Sequence, residues 1–243
     1  MIETVPELPS TNAALLARLG AEGRPPEGDW LVADRQSAGR GRAGRKWSDG
    51  AGNFMGSTVA WLRAGDPMAP TLALVAGLAV HRAVSEAAPG LDGLSLKWPN
   101  DLQADGAKLA GILLERQGDA VVVGIGVNLA NAPELPDRRT ASLAALGHKV
   151  SRDAFAGVLA AHLGSLLERW HSGEWPSLRS DWLARAHPEG TALMVRDADG
   201  EPIAGTFAGI DAQGLALLRL ADGTVRAIAA GDVEMVGQDA ARD

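Results

Sequence analysis

The pattern of this chain changes at His187-Pro-Glu-Gly190, and that change limits the fold more than any other feature of the sequence. Downstream, residues 192–196, 203–210, 215–220, 225–229 and 233–236 are short β-like runs punctuated by Asp199-Gly200, Gln213-Gly214 and Asp222-Gly223. Short runs at even spacing with Asp-Gly turns predict a small antiparallel barrel or sandwich. Upstream, long alanine- and leucine-rich segments alternate with apolar runs of strand length, which predicts a mixed β-sheet flanked by helices. The expected organisation is α+β, with one domain over 1–187 and a small C-terminal β-barrel domain over 188–243.

Within the first part, Ser10-Thr-Asn precedes leucines at 15, 16 and 19 and a stop at Gly20, so a helix is expected over 13–20. On this pattern alone Ser10, Thr11 and Asn12 are capping residues. Strands follow at 30–33 and 53–62, then a mostly buried helix over 70–88 halted by Pro89-Gly90. Three β-like runs come next, 94–98, 110–115 and 120–129, followed by a proline- and charge-rich surface loop at 131–139. Ser151 caps a helix reaching Trp170, and a shorter helix covers 175–186.

The chain has no cysteine, which removes disulfide scaffolds, thiolate metal sites and cysteine nucleophiles. Its longest uncharged apolar stretches, 67–81 and 120–133, are shorter than the roughly 20 residues of a membrane helix. Two glutamates and no basic segment open the N-terminus, unlike a secretory signal. A cytoplasmic protein is expected. The formal net charge of -7 speaks against a general nucleic-acid binder. His81, His148, His162, His171 and His187 lack metal-ligand spacing and read as structural or solvated.

Against that acidic background one stretch inverts the sign. Between Arg35 and Ser48 stand Arg35, Arg40, Arg42, Arg45 and Lys46 without an acidic residue, interleaved with Gly39, Gly41 and Gly44. Glycines permit positive φ and close backbone approach, while guanidinium forks match carboxylate and phosphate oxygens. The expected guest is an anion, although a solvated basic loop would have the same composition. The three glycines also spell G-x-G-x-x-G, but the segment after them lacks the apolar helix on which a dinucleotide pyrophosphate would rest.

Three further motifs sit at strand ends. Lys97-Trp-Pro-Asn-Asp101 is kept out of a helix by Pro99, so Lys97, Asn100 and Asp101 project from a strand end or tight turn. Lys108 stands at the mouth of the apolar run Leu-Ala-Gly-Ile-Leu-Leu-Glu115, where Gly111 leaves room for a ligand. Gly124-Ile-Gly-Val-Asn128 ends on an amide able to donate and accept like the edge of a base. Each motif alone is also ordinary turn or strand-end chemistry.

In this order, Ser10-Thr-Asn12, Gly39-Arg-Gly-Arg-Ala-Gly-Arg-Lys-Trp47, Lys97-Trp-Pro-Asn-Asp101, Lys108-Leu-Ala-Gly-Ile-Leu-Leu-Glu115 and Gly124-Ile-Gly-Val-Asn128 resemble the biotin protein ligases. The resemblance covers most of the chain. It implies a catalytic domain like those of the class II aminoacyl-tRNA synthetases and biotin synthetase, with an SH3-like C-terminal barrel. It also implies ATP and biotin as substrates, Mg²⁺ as the accompanying ion, and a biotin carboxyl carrier domain of a biotin-dependent carboxylase as partner. Biotin would be activated as biotinoyl-5'-AMP with release of pyrophosphate, then passed to a carrier lysine.

By the same resemblance, Ser10, Thr11, Asn12 and Gln36 would meet the ureido end of biotin. Gly39, Arg40, Gly41, Arg42, Lys108 and Gly111 would complete the biotin site. Arg42, Arg45, Trp47, Lys97 and Asn128 would hold ATP, with Asn128 at the adenine. Arg40 and Lys108 would act on the reacting carboxylate and phosphate, and Asp101, with Asn100, would orient the acceptor amine. One position departs, since Pro9 stands where the family usually has an acidic residue. With the motifs starting at residue 10, no helix-turn-helix domain and no operator binding are expected. Monomer and homodimer both stay open. A lipoate ligase, a non-catalytic biotin or nucleotide sensor and a dinucleotide oxidoreductase are the competing readings. The basic loop is expected to be mobile until an anion neutralises its charges.

Overall fold

The computed structural model describes residues 1–21, 23–48, 50–136, 138–196, 202–229 and 232–235. The Asp199-Gly200 turn and Val236, the end of the last expected run, lie outside the described residues. The first sheet holds β1 (Ile2–Leu8), β2 (Trp30–Gln36), β3 (Phe54–Trp61), β4 (Leu94–Lys97), β5 (Asp101–Ala104), β6 (Ala107–Gln117) and β7 (Ala120–Val127). Their order is β1-β2-β3-β7-β6-β5-β4, with β1 parallel to β2 and the other neighbours antiparallel. The sheet is therefore mixed. Helices α1 (Thr11–Ala21), α2 (Thr71–Ala87), α3 (Arg152–His171) and α4 (Trp175–Leu183) flank it. A second, antiparallel sheet, in the order β11-β10-β9-β8-β12, contains β8 (Ala192–Arg196), β9 (Pro202–Ile210), β10 (Ala216–Arg219), β11 (Val225–Ile228) and β12 (Asp232–Met235).

Strand β7 decides where the cavity forms. Its sequence, Ala-Val-Val-Val-Gly-Ile-Gly-Val, carries no charge because it runs between β3 and β6 with neighbours on both edges. Val121, Val123, Ile125 and Val127 face α2 and α3 and join the large core. Each such buried side chain contributes roughly 1.5–3 kcal/mol. On the opposite face Val122 packs with Leu15 of α1, Leu31 and Val59. The next two positions on that face are Gly124 and Gly126, and both line a cavity instead.

Several elements differ from the sequence expectation. β1 was not expected, because Glu3, Pro6 and Glu7 break any apolar alternation; it exists through backbone pairing from Ile2↔Trp30 to Leu8↔Gln36. Pro6 is tolerated because β1 is an edge. β5 was also unforeseen, and it turns Lys97–Asp101 into the tip of a hairpin. α1 starts at Thr11 rather than 13, and α4 ends at Leu183 rather than 186. The second sheet shares the large core through Leu193, Val195, Phe207, Ile210, Ala216, Leu218 and Ile228. Two indoles fasten it, as Trp98 Nε1 donates to Gly214 O at 3.0 Å and Trp175 Nε1 to Ala212 O at 2.7 Å. Among the described residues no helix is long and apolar enough to cross a membrane.

Candidate active site

The cavity on the α1 side of the sheet measures about 650 Å³, a size suited to small molecules. Its floor is rich in glycine. Gly111 pairs with Gly126 and Leu113 with Gly124 across β6 and β7. The indole of Trp47 lies on this floor, so that a Cβ at Gly126 would collide with it. A Cβ at Gly111 would come within 3.1 Å of both the Trp47 ring and Lys108 Nζ, and one at Gly124 would strike the Asn12 amide. Trp47 Nε1 is buried without a hydrogen-bond partner, a donor left for an acceptor that enters the cavity.

All the sequence-predicted site residues line the cavity except Gly39. The basic loop is an arch in which Gly41 N–H donates to Arg45 O at 2.7 Å, Trp47 N–H donates to Gly39 O at 3.0 Å, and Arg40 bridges Lys46. The glycines act differently from the sequence expectation. Positive φ occurs at Gly44 (73°) and at Ala43 (53°), whereas Gly41 is extended. Gly39 and Gly41 serve close approach, since a Cβ on them would stand 2.7 Å from Trp47 O and 3.3 Å from Arg45 O. Gly39 therefore shapes the arch from outside the cavity.

The hairpin tip supplies the second set of groups. Lys108 Nζ meets Asp101 Oδ1 at 2.6 Å, both mostly buried, and stands 5.9 Å from the Trp47 ring centroid. Asn100 is committed to bracing: its Nδ2 donates to Ile112 O at 2.7 Å and its Oδ1 accepts from Arg42 Nη1 at 3.2 Å. Asn128 is buried and spends its amine on Ala141 O at 3.1 Å, which leaves Oδ1 as its acceptor. Lys97 lines the cavity beside them. The Trp98–Pro99 peptide is cis.

The closed end of the cavity is polar and largely uncharged. Ser10 caps α1, its Oγ accepting from Ala13 N at 3.4 Å, which frees Thr11 and Asn12 for other work. Thr11 N donates to Gln36 Oε1 at 2.7 Å, and Thr11 Oγ1 lies 2.6 Å from Ser57 Oγ. Ser57 Oγ donates to Asn12 Oδ1 at 2.6 Å, and Asn12 Nδ2 donates to Glu115 Oε2 at 2.9 Å. Arg40 Nη2 reaches the same Glu115 oxygen at 3.1 Å.

Sequence reasoning assigned neither Ser57 nor Glu115 a role. The available signals were a hydroxyl inside the apolar run of β3 and an acidic residue closing the Lys108 motif. It also missed Arg138, Arg139 and Thr140, which line the cavity from a segment expected to be plain surface. The lining is also strongly cationic, with Arg40, Arg42, Arg45 and Lys46 from the arch, Lys97 and Lys108, and Arg138 and Arg139. Among the described residues Asp101 is the only acidic lining residue.

His81 and His187 stay outside the cavity. Burial, reinforced by the Lys97 charge, pushes His187 down to about 4. Burial with Arg185 and Arg82 does the same to His81. Both are neutral structural imidazoles at pH 7.

Residues 6–129 match the biotin/lipoate A/B protein ligase family, and residues 194–236 match the biotin protein ligase C-terminal domain. The chain belongs to the biotin/lipoate A/B protein ligase family. Within it, the chain is 38% identical over 201 residues to the biotin–[acetyl-CoA-carboxylase] ligase of Paracoccus denitrificans, covering 78% of this chain and 83% of that one. It is also 38% identical over 237 residues to the enzyme of the same name from Mycobacterium tuberculosis, covering 96% and 88%. Among solved structures, the Aquifex aeolicus biotin protein ligase in complex with biotin and ATP superposes with a TM-score of 0.81 at 28% identity, covering 96% and 97%.

Among the described residues no group of three histidine or acidic side chains could hold a metal ion, and Asp101 is already bound to Lys108.

Proposed function

We propose that the chain is an ATP-dependent biotin protein ligase that makes biotinoyl-5'-AMP and transfers biotin to a lysine of a biotin carboxyl carrier domain. The observation that carries this reading is the polarity of a single cavity. Neutral amides and hydroxyls of Ser10, Thr11, Asn12 and Gln36 suit a ureido ring, and eight cations of the same lining suit a carboxylate and a triphosphate. The Trp47 indole, seated on the glycine floor, offers an apolar surface to the body of biotin. A lipoate ligase would share the cationic lining but has no use for the chain of Thr11, Ser57 and Asn12. The match to the biotin protein ligase C-terminal domain supports the same choice.

Residues 1–187 act as the catalytic domain and 188–243 as the small C-terminal domain. In the first step a biotin carboxylate oxygen bonds to the α-phosphorus and the α–β phosphoanhydride bond breaks, releasing pyrophosphate. Two anions must meet, so Arg40 and Lys108 neutralise and align them, while Arg42, Arg45 and Lys97 hold the phosphates. Trp47 covers the floor and excludes water from the mixed anhydride. Asn128 Oδ1 accepts from the adenine amine. Mg²⁺ enters as the counter-ion of ATP and is part of that substrate.

In the second step the carrier amine attacks the biotin carbonyl carbon, the bond to AMP breaks, and Asp101 takes the amine proton. Neither nucleic acid nor a membrane takes part, and the reaction belongs in the cytoplasm. The reading is tested by incubating the protein with ATP, Mg²⁺ and a carrier domain, with either biotin or lipoate. Mass spectrometry should find one carrier lysine biotinylated and no lipoylation; lipoylation alone would reassign the substrate.

A further inference from the structure

We infer that Glu115 sets the direction of the hydrogen-bond chain that runs from Thr11 through Ser57 to Asn12 at the closed end of the cavity, and so determines what Thr11 offers to a ureido ring. The inference rests on the biotin reading above. Glu115 does not itself line the cavity. It is a positioning residue that acts through Asn12.

A carboxylate accepts and never donates, so the Asn12 amide turns its amine toward Glu115 at 2.9 Å, with a longer second contact to Leu113 O at 3.4 Å. Asn12 Oδ1 is then left facing Ser57 Oγ at 2.6 Å. An amide oxygen has no hydrogen, so Ser57 donates its only one there. The 2.6 Å contact between Thr11 Oγ1 and Ser57 Oγ then contains a hydrogen only if Thr11 supplies it. Thr11 has one to give, and it serves this contact rather than the longer 3.2 Å approach to Gln36 Oε1. Gln36 Oε1 is served by the Thr11 N–H instead, at 2.7 Å.

The direction therefore runs one way, from Thr11 through Ser57 and Asn12, whose amine closes the chain on Glu115. Its consequence is that the hydroxyl hydrogens of Thr11 and Ser57 are used inside the protein. What Thr11 turns toward a ligand is then a lone pair, which suits an N–H donor of a cyclic urea, while Ser57 stays behind the lining. Thr11, Asn12 and Ser57 are all buried, so water cannot restore the pattern if it is scrambled. The register of the sheet makes the arrangement possible. Glu115 stands opposite Val122, two residues along the same face from the Leu113–Gly124 pair, and bare Gly124 lets the Asn12 amide lie flat between Glu115 and Ser57.

Glu115→Met keeps much of the volume but offers no acceptor to Asn12 or Arg40, whose amine and guanidinium share one Glu115 oxygen. The chain then loses its single direction. Glu115→Asp keeps a group that can only accept. The experiment is calorimetric titration, without ATP, of biotin and of biotinamide, which has the ureido ring but no carboxylate. KM for ATP and the melting temperature are measured alongside. Glu115→Met should weaken both ligands by about tenfold, with KM for ATP and melting temperature unchanged, and Glu115→Asp should recover most of the loss. Unchanged binding of both ligands overturns the inference. So does a loss confined to biotin, which would make Glu115 a partner of Arg40 alone, or a loss that tracks a fall in melting temperature. Failure of the wild-type protein to bind either ligand would instead remove the biotin reading itself.

Discussion

Two stretches of β7, four residues apart on one face, do opposite work. Ala120 and Val122 fill space beneath α1, whereas Gly124 and Gly126 vacate it beneath Trp47 and Asn12. In the first region volume is what matters, and another apolar side chain of similar size serves nearly as well. In the second, what matters is the absence of a side chain, although each glycine in a strand costs roughly 0.5–1 kcal/mol relative to alanine. Stability and function are thus written into one strand by alternate residues of one face.

The sharpest test of that contrast is Gly126→Val. It should cut biotin-dependent pyrophosphate release at least about 100-fold by displacing the groups around Trp47, while the melting temperature changes little, because valine suits a strand. Comparable activity would mean that Trp47 does not need its place on the floor. Lys108→Ala follows, with an expected fall in kcat of about 100-fold or more and little change in biotin affinity, read by steady-state kinetics and titration. In the packed region, Val122→Ala should do the reverse, costing about 2 kcal/mol in urea unfolding and leaving kcat per folded molecule intact.

A still quieter prediction concerns the junction with the second sheet, where His187 stacks edge-on against Phe207 at 4.9 Å. Its folded pKa of about 4 lies below the unfolded value near 6.5, so the unfolded chain binds the proton first. Stability is full above pH 6.5 and is lost as pH falls from there toward 4. Between pH 7 and 5 this one group removes about 2 kcal/mol, and His187→Phe should remove that part of the acid sensitivity measured by thermal melts. Smallest in energy is the arch itself. Limited proteolysis within 39–47 should slow when biotin and ATP are added, and equal cutting with and without them would contradict a loop ordered by its ligands.

Much of this was legible before the fold was known. The basic arch, the Lys97 and Lys108 motifs and the Gly124 run announce themselves because charge reversals and paired glycines are local signals. The helices and the switch to short antiparallel strands are legible for the same reason, since period and punctuation are local. β1 was not, because its stability comes from pairing to β2 rather than from its own residues. Glu115 and Ser57 were hidden for a related reason. Their importance lies in touching Asn12, Thr11 and Arg40, residues 45 to 103 positions away. Arg138 and Arg139 sit in what composition marks as an ordinary loop, and only the closure of that segment over the cavity gives them a part.

The central claim is that this cavity joins biotin to AMP. It is tested most directly by mixing the purified protein with biotin, ATP and Mg²⁺ in the absence of any acceptor, then extracting and identifying the bound small molecule by mass spectrometry. The account predicts biotinoyl-5'-AMP in near-stoichiometric amount from the wild-type protein and a much reduced amount from Lys108→Ala. Recovery of unreacted biotin and ATP from both proteins would contradict it.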